Sequence, residues 1–427
     1  MEVRDPIHGA IAVTSAEERV VDHAFLQRLR NIKQVGFSEL AFPGAVHSRY
    51  NHSIGVMHLA GRAFDRALAS FSFSATARRD ELRACLRLAA LLHDVGHAPF
   101  SHCTEFAMPP LRTLGITVYD DEVHRQRGEL RASHEDYTIG IVTQAMADCI
   151  AGHFPFTATH VAALISREVR IDDDFFVDGG LDLRQVLSQI VSSELDVDRL
   201  DYLVRDSYFS GARYGMVDTN WILSNLDVHV HEGRVGLALD RRALYAFDDF
   251  LIARYHMFVM VYFHHKSVVY EEMLKRYFTS PSCPYRIPSD IHAYLPVDDV
   301  HLWSHLRQSE DEWAQAIIGH RAWKRVLELH GNPASVDASW AIARLAENGI
   351  DTLAASSVGK LSRYSVFGQK RSSAPSIFVK GGLSGEAVMP LDEATAIFDR
   401  YQDERRISRV YVAPEKLDTA KALVRLD

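Results

Sequence analysis

Residues 91–102 read LLHDVGHAPFSH: an adjacent histidine and aspartate, His93 and Asp94, at the end of an apolar run, then His97 and His102 within eight residues. The run belongs to an amphipathic helix predicted over Asp80–His93, where Leu82, Leu86, Leu88, Ala89 and Leu92 recur at helical spacing. Adjacent helical residues point about 100° apart, so His93 and Asp94 can share one ion only near a helix end. Gly96 and Pro99 end the helix directly afterwards, which meets that condition. Imidazole nitrogens combined with carboxylates suit a divalent transition metal (Mn, Fe, Co, Ni or Zn), whereas an all-oxygen set would favour Mg or Ca. The dipeptide alone is unspecific, and its meaning depends on the rest of the chain.

With 427 residues the chain exceeds what one compact core usually holds, so a large main domain and a smaller one are expected. Hydrophobic residues make up 47% and charged residues 24%, as in globular proteins. A formal charge of −9 argues against a broad nucleic-acid-coating surface and leaves room for a local basic pocket. Cys85, Cys103, Cys149 and Cys283 are scattered without a CxxC pair, as expected of thiols in a reducing compartment. MEVRDPIHGAIAV lacks the apolar core of a secretory signal. The most apolar helix-like stretch, Met257–Phe263, is far shorter than the ~20 residues that span a bilayer. A cytoplasmic protein without membrane contact is expected.

Helical periodicity dominates residues 15–345. Helices are predicted over Glu17–Val35 (through Val20, Val21, Phe25, Leu29 and Ile32), Glu135–Ile150, Leu183–Leu203 and Arg241–Tyr277. Glu232-Gly233 suits a two-residue turn between strands Asp227–His231 and Arg234–Leu239. Beyond about residue 355, Arg363–Phe367, Ser376–Lys380 and Arg409–Val412 read as strands. Asp392–Gln402 and Pro414–Leu426 read as helices. The expected division is a helical domain over 1–350, with its site drawn from 49–206, and a small α+β region over 351–427.

Four segments recur in order: RYNHSIGV from Arg49, LLHDVGHAPFSH from Leu91, the pair His134-Glu135, and ELDVDRLDYLVRD from Glu194. With Arg4-Asp5-Pro6-Ile7-His8-Gly9, LQRLRNIKQVG and FPGAVHSRYNHS they resemble the HD-domain phosphohydrolases, specifically the deoxynucleoside triphosphate triphosphohydrolase (dGTPase-like) branch. The resemblance runs to about residue 270 and implies a mostly α fold, an HD helical core with a small α+β C-terminal appendage.

Carried over by motif, the resemblance implies His52, His93, Asp94 and Asp198 as ligands of one divalent transition metal, with Mg accompanying the substrate phosphates. Such a metal acts as a Lewis acid and lowers the pKa of its water. His97 and His134 would face the reacting α-phosphate with His102 close by. The pair His134-Glu135 would make His134 the general acid. Arg49 matches an arginine that reaches the phosphates, and Arg199 replaces a lysine there. Gln34, Tyr202 and Asp206 match residues that meet the sugar. Phe263 stands where a tyrosine packs on the deoxyribose, and its missing hydroxyl leaves the sugar preference open. The family's γ-phosphate arginine has no clear counterpart; Tyr255, with Arg254 beside it, stands near its place. Asp22, Gln27, Arg28 and Arg30 lie where regulated members read a nucleotide activator between subunits of a dimer or tetramer, although a helix with a solvated charged face would read the same.

The implied reaction is hydrolysis of a (deoxy)nucleoside triphosphate to nucleoside and triphosphate. Two readings stand beside it: another HD-type phosphohydrolase acting on mono-, di- or cyclic nucleotides, and a non-catalytic nucleotide-responsive module.

Overall fold

The computed structural model describes residues 1–332, 336–359, 377–381, 388–400 and 405–425. Its centre is two helices, Arg49–Ala67 and Thr76–Leu92, packed against each other, with Val197–Ser210 packed on the first. Arg49–Ala67 is buried on nearly every side, as befits a central helix. Thr76–Leu92 starts with charged, largely exposed turns and is wholly buried from Leu86 to Leu92. Each buried leucine there contributes about 1.5–3 kcal/mol, which anchors the helix end that carries His93.

Several long predicted helices are broken by local hydrogen bonding that periodicity does not report. Glu17–Val35 resolves into Ser15–Val21, Ala24–Arg28 and a 3₁₀ turn. Thr14 and Glu17 form a capping box at the first start, and the His23 imidazole accepts the Phe25 N–H at the second. Leu183–Leu203 divides into Arg184–Val191 and Val197–Ser210 because Asp196 accepts the backbone N–H groups of Ser193 and Arg199, each at 2.8 Å, and caps the second helix. Arg241–Tyr277 becomes Leu244–Met257 and His265–Thr279, joined by a π turn at Phe258–Tyr262. A π turn also interrupts the predicted Glu135–Ile150 helix at Ile141–Ala145.

The predicted hairpin is present as Leu226–His231 paired with Arg234–Asp240, its turn residues Glu232 and Gly233 both at positive φ. An N-terminal hairpin, Glu2–Asp5 with Gly9–Ala12, was not expected from the pattern.

The C-terminal strands pair with segments on both sides of residue 351. Lys324–Gly331 pairs antiparallel with Arg405–Val412, which also pairs with Leu353–Gly359, so this sheet begins before residue 351. Leu327, Ala341, Leu345, Val410, Val412 and Ala420 form a separate small core beneath it. Phe378–Lys380 runs instead parallel to Ala238–Asp240 and extends the sheet of the helical body. Sequence neighbours past 351 are therefore shared between two sheets. The predicted strand Arg363–Phe367 lies outside the described residues.

Candidate active site

The Arg49–Ala67 helix carries His52 in its first turn, the Thr76–Leu92 helix delivers His93 and Asp94 at its end, and Val197–Ser210 adds Asp198 in its first turn. These four side chains converge. His52 Nε2 lies 3.0 Å from Asp198 Oδ1 and 3.6 Å from Asp94 Oδ2; His93 Nε2 lies 3.4 Å from Asp94 Oδ1 and 3.5 Å from Asp198 Oδ1. His52, His93 and Asp94 each offer a ligand atom within 4.8 Å of the others.

The imidazole tautomers are set from behind. His52 Nδ1 donates to Asp201 Oδ2 at 2.8 Å, and His93 Nδ1 donates to the Ala90 carbonyl at 2.8 Å. Each ring therefore turns its Nε2 toward the carboxylates, and both Nε2 atoms are buried without a hydrogen-bond partner. Two orphaned imidazole nitrogens facing two carboxylates form a donor set that fits a divalent transition metal, with the outer hydrogen bonds such sites need.

The turn after Asp94 is held tightly. A Cβ at Gly96 would lie 2.2 Å from the His134 carbonyl oxygen and 2.3 Å from the Thr138 nitrogen, so only glycine lets the His134–Gly140 helix approach. Thr138 Oγ1 accepts from the Gly96 N–H at 2.9 Å and donates to the His93 carbonyl at 3.0 Å. Phe100 and Ser101 occupy the left-handed region at φ 58° and 59°, which costs on the order of 1–3 kcal/mol per residue. Asp299 offsets this by accepting the Phe100 N–H at 2.6 Å, and Arg49 Nε donates to Ser101 Oγ at 2.7 Å.

That loop brings His97 and His102 to His134. The His134 ring stacks on His97 with centroids 4.0 Å apart, and His102 meets both edge-on. The carboxylate partner of His134 is Glu105, which accepts from its Nδ1, while the expected partner Glu135 is exposed to solvent. Adjacent helical side chains diverge, so Glu135 cannot share its neighbour's direction. Burial opposes charging His134, but Glu105 outweighs it and raises the imidazole pKa. Burial, with Arg49 and His134, instead holds His97 well below the usual histidine range, so it stays neutral. His102, with 63% of its side chain exposed, reaches Glu105 at 3.3 Å. His97, His102, Glu105 and His134 also lie close enough together to share an ion.

Arg49 is buried and donates to Asp94 and Ser101. Arg199 donates to Asp196 and the Ser193 carbonyl, so its guanidinium is engaged locally. Gln34 has a buried Oε1 without a hydrogen-bond partner, and its carbonyl faces Arg49. Tyr202 lies with its ring centroid 6.5 Å from that of His52. Asp206 accepts from His47 Nε2 and from the Tyr262 hydroxyl, each at 2.7 Å. Tyr262, one residue before Phe263, is thus the aromatic residue whose hydroxyl meets Asp206. Phe263 itself packs on Phe258, and its N–H bonds the Phe258 carbonyl at 2.8 Å. This extra-wide turn rotates the helix register and moves Tyr262 to the site.

Of the residues expected to read an activator, Arg28 is buried. It donates to the carbonyls of Val297, Val95 and His97, which ties the ligand loop to the downstream helices. Asp22 and Arg30 are exposed, and Arg30 bonds Gln27 and covers the Tyr50 ring. Glu105, Asp201, His47 and Tyr262 were missed from the sequence. Asp201 had a usable signal, one helical turn after Asp198 in DVDRLDYL.

A family model described as the HD domain matches residues 49–206, and one described as the HD associated region matches residues 217–340, together about two thirds of the chain. The uncharacterized protein MJ1154 of Methanocaldococcus jannaschii is 29% identical over 325 residues, 76% of this chain and 59% of that protein. A deoxynucleoside triphosphate triphosphohydrolase SAMHD1 homolog of Dictyostelium discoideum is 32% identical over 210 residues, 49% of this chain and 36% of the relative. The chain thus matches between about a third and six tenths of these relatives' lengths. The crystal structure of a hypothetical protein from Aquifex aeolicus matches at TM-score 0.75 and 25% identity over the full length of both chains.

Proposed function

Since the chain belongs to the HD-domain phosphohydrolases, we propose that it hydrolyses (deoxy)nucleoside triphosphates at the α-phosphate, yielding nucleoside and inorganic triphosphate. The observation that carries this reading is the pair of orphaned Nε2 atoms of His52 and His93, facing Asp94 and Asp198. These four would hold a divalent transition metal, which supplies Lewis-acid polarisation of a phosphoryl oxygen and a more acidic water. Further support for the triphosphate substrate comes from the relative described as a deoxynucleoside triphosphate triphosphohydrolase.

The remaining roles fall to the chain's own side chains. The bond broken joins the α-phosphorus to the nucleoside 5′ oxygen, and that oxygen leaves needing a proton. His134, kept charged by Glu105, donates it. Neutral His97 stacks on His134 and fixes the plane from which the proton is given. Tyr202, Asp206 and Tyr262 form the sugar side of the site.

One observation favours a second reading. Arg49 and Arg199 both donate to carboxylates, which leaves less positive charge for a triphosphate than for a shorter phosphate chain. A product profile decides between them: the protein is incubated with Mn, Co or Mg and each dNTP and NTP. Tripolyphosphate with free nucleoside is the expected outcome; monophosphate with pyrophosphate, or turnover of mono-, di- or cyclic nucleotides alone, overturns it.

A further inference from the structure

Behind His52 lies a largely enclosed layer that the ligand set does not explain. Asp201 accepts four hydrogen bonds: Oδ1 from His8 Nε2 at 2.6 Å and Arg205 Nη2 at 2.9 Å, Oδ2 from His52 Nδ1 at 2.8 Å and Arg205 Nε at 2.8 Å. A carboxylate with two donors on each oxygen has no rotational freedom left. Arg205, itself fully buried, continues to Asp5 with contacts of 2.8 and 3.3 Å. Asp5 in turn accepts the N–H groups of Ile7 and His8, each at 2.9 Å, and so shapes the turn that carries His8. Asp5 and His8 both belong to the N-terminal hairpin, which is about 190–200 residues away in sequence from Asp201 and Arg205.

We infer that His8 is a positioning residue for the metal centre: by clamping Asp201 it fixes the tautomer and the aim of His52, so the N-terminal hairpin forms part of the site. The inference rests on the metal reading of His52, His93, Asp94 and Asp198. Neighbouring geometry supports a built device over incidental contact. A Cβ on Gly55 would lie 2.1 Å from Asp201 Oδ1 and 2.4 Å from Arg205 Nη2, so the central helix leaves that space for the ion pair. The short Asp5–Gly9 turn delivers one carboxylate and one imidazole into this layer.

The test uses reach at constant polarity. Glutamine places an amide N–H near the position of His8 Nε2, whereas asparagine stops short. Full-length wild type, His8→Gln and His8→Asn are stripped of metal and titrated with Co(II) alone, by equilibrium dialysis and by the visible absorption of the bound ion. Thermal unfolding of each metal-free form is recorded alongside. The expected result is that His8→Asn binds Co(II) about 10- to 100-fold more weakly with an altered spectrum, as for loss of an outer hydrogen bond at a metal site. His8→Gln recovers most of the affinity and the wild-type spectrum. If His8→Asn does not fold, His8→Ser, which leaves room but no donor within reach, replaces it. Wild-type affinity and spectrum in the asparagine or serine variant overturn the positioning role and leave the metal centre standing. A wild type that binds no Co(II) overturns the metal centre and the positioning role together.

Discussion

His134 Nδ1 donates to Glu105 Oε1, a histidine–carboxylate pair closed between residues 29 positions apart, with the ring lying flat on His97. The carboxylate raises the imidazole pKa against the opposing effect of burial. A general acid works only while protonated, so the rate should fall as pH rises through that raised value. Glu105→Gln removes the charge and keeps the shape, so the alkaline limb of kcat should move to lower pH. General acid catalysis is worth ~10²–10⁴-fold, and a variant that keeps the imidazole in place should lose about 10²-fold near neutral pH. Glu135→Gln, at an exposed position, should stay within about twofold of wild type. A Glu105→Gln profile that superimposes on wild type removes His134 from the acid role.

Glu17 and Arg87 tie the first helix to the central pair. Glu17 Oε2 accepts from Arg87 Nη2 at 3.0 Å and from the Thr14 N–H at 2.9 Å, and Arg87 also reaches Glu17 Oε1. Burial pushes the Glu17 carboxyl up, but Arg87 and Thr14 outweigh it and the net shift is down. A lowered folded value means stability that is present above the ordinary carboxylate value and lost as pH falls through the lowered one. Glu17→Gln leaves a buried guanidinium without its counter-charge and should cost about 3–5 kcal/mol at pH 7. Urea unfolding at pH 7 and pH 4 checks both points. The wild type should lose more stability than the variant on acidification, and equal losses would refute the assignment.

Tyr262, delivered by the π turn, donates to Asp206 at 2.7 Å where Phe263 was expected to leave a gap. Tyr262→Phe should cost about 0.5–1.5 kcal/mol of stability from the lost hydrogen bond and raise KM more than it lowers kcat. Phe263→Tyr should gain neither affinity nor sugar discrimination. Steady-state kinetics on paired deoxy- and ribonucleotides separates the two positions. Discrimination that improves in Phe263→Tyr would place the site tyrosine at 263 after all.

That displacement also shows where the sequence was legible and where it was not. His52, His93, Asp94 and Asp198 were legible only through the resemblance of the motifs around them; periodicity located their helices but not the way these pack to bring the four side chains together. Glu105 stayed hidden because the loop from Phe100 to Ala107 is set by two left-handed residues and by Asp299, far downstream. Residue adjacency pointed instead to Glu135, which the helix turns away. Arg28 reads as a solvated charge in LQRLRNIKQVG, yet it is buried against carbonyls of the ligand loop, because its partners are backbone atoms that no motif records. The sheet partners of the strands past residue 351 were hidden for a similar reason: strand propensity locates strands but not the sheet each will join.

Gly55 and Asp201 offer the sharpest test of how the central helix serves the site. On an ordinary helix surface Gly→Ala gains about 1 kcal/mol from propensity alone. Here the added Cβ would lie 2.1 Å from Asp201 Oδ1 and 2.4 Å from Arg205 Nη2, both fully buried and unable to retreat. Overpacking of this kind typically costs about 1–3 kcal/mol and cancels the propensity gain. Its geometric consequence is larger than its energetic one, because the carboxylate it displaces is the acceptor for His52 Nδ1. Gly55→Ala should therefore lower the unfolding midpoint and, separately, bind Co(II) more weakly than wild type at a temperature where both are folded. A variant that is more stable than wild type and binds the ion equally well would mean that Asp201 has room to move and does not set the aim of His52.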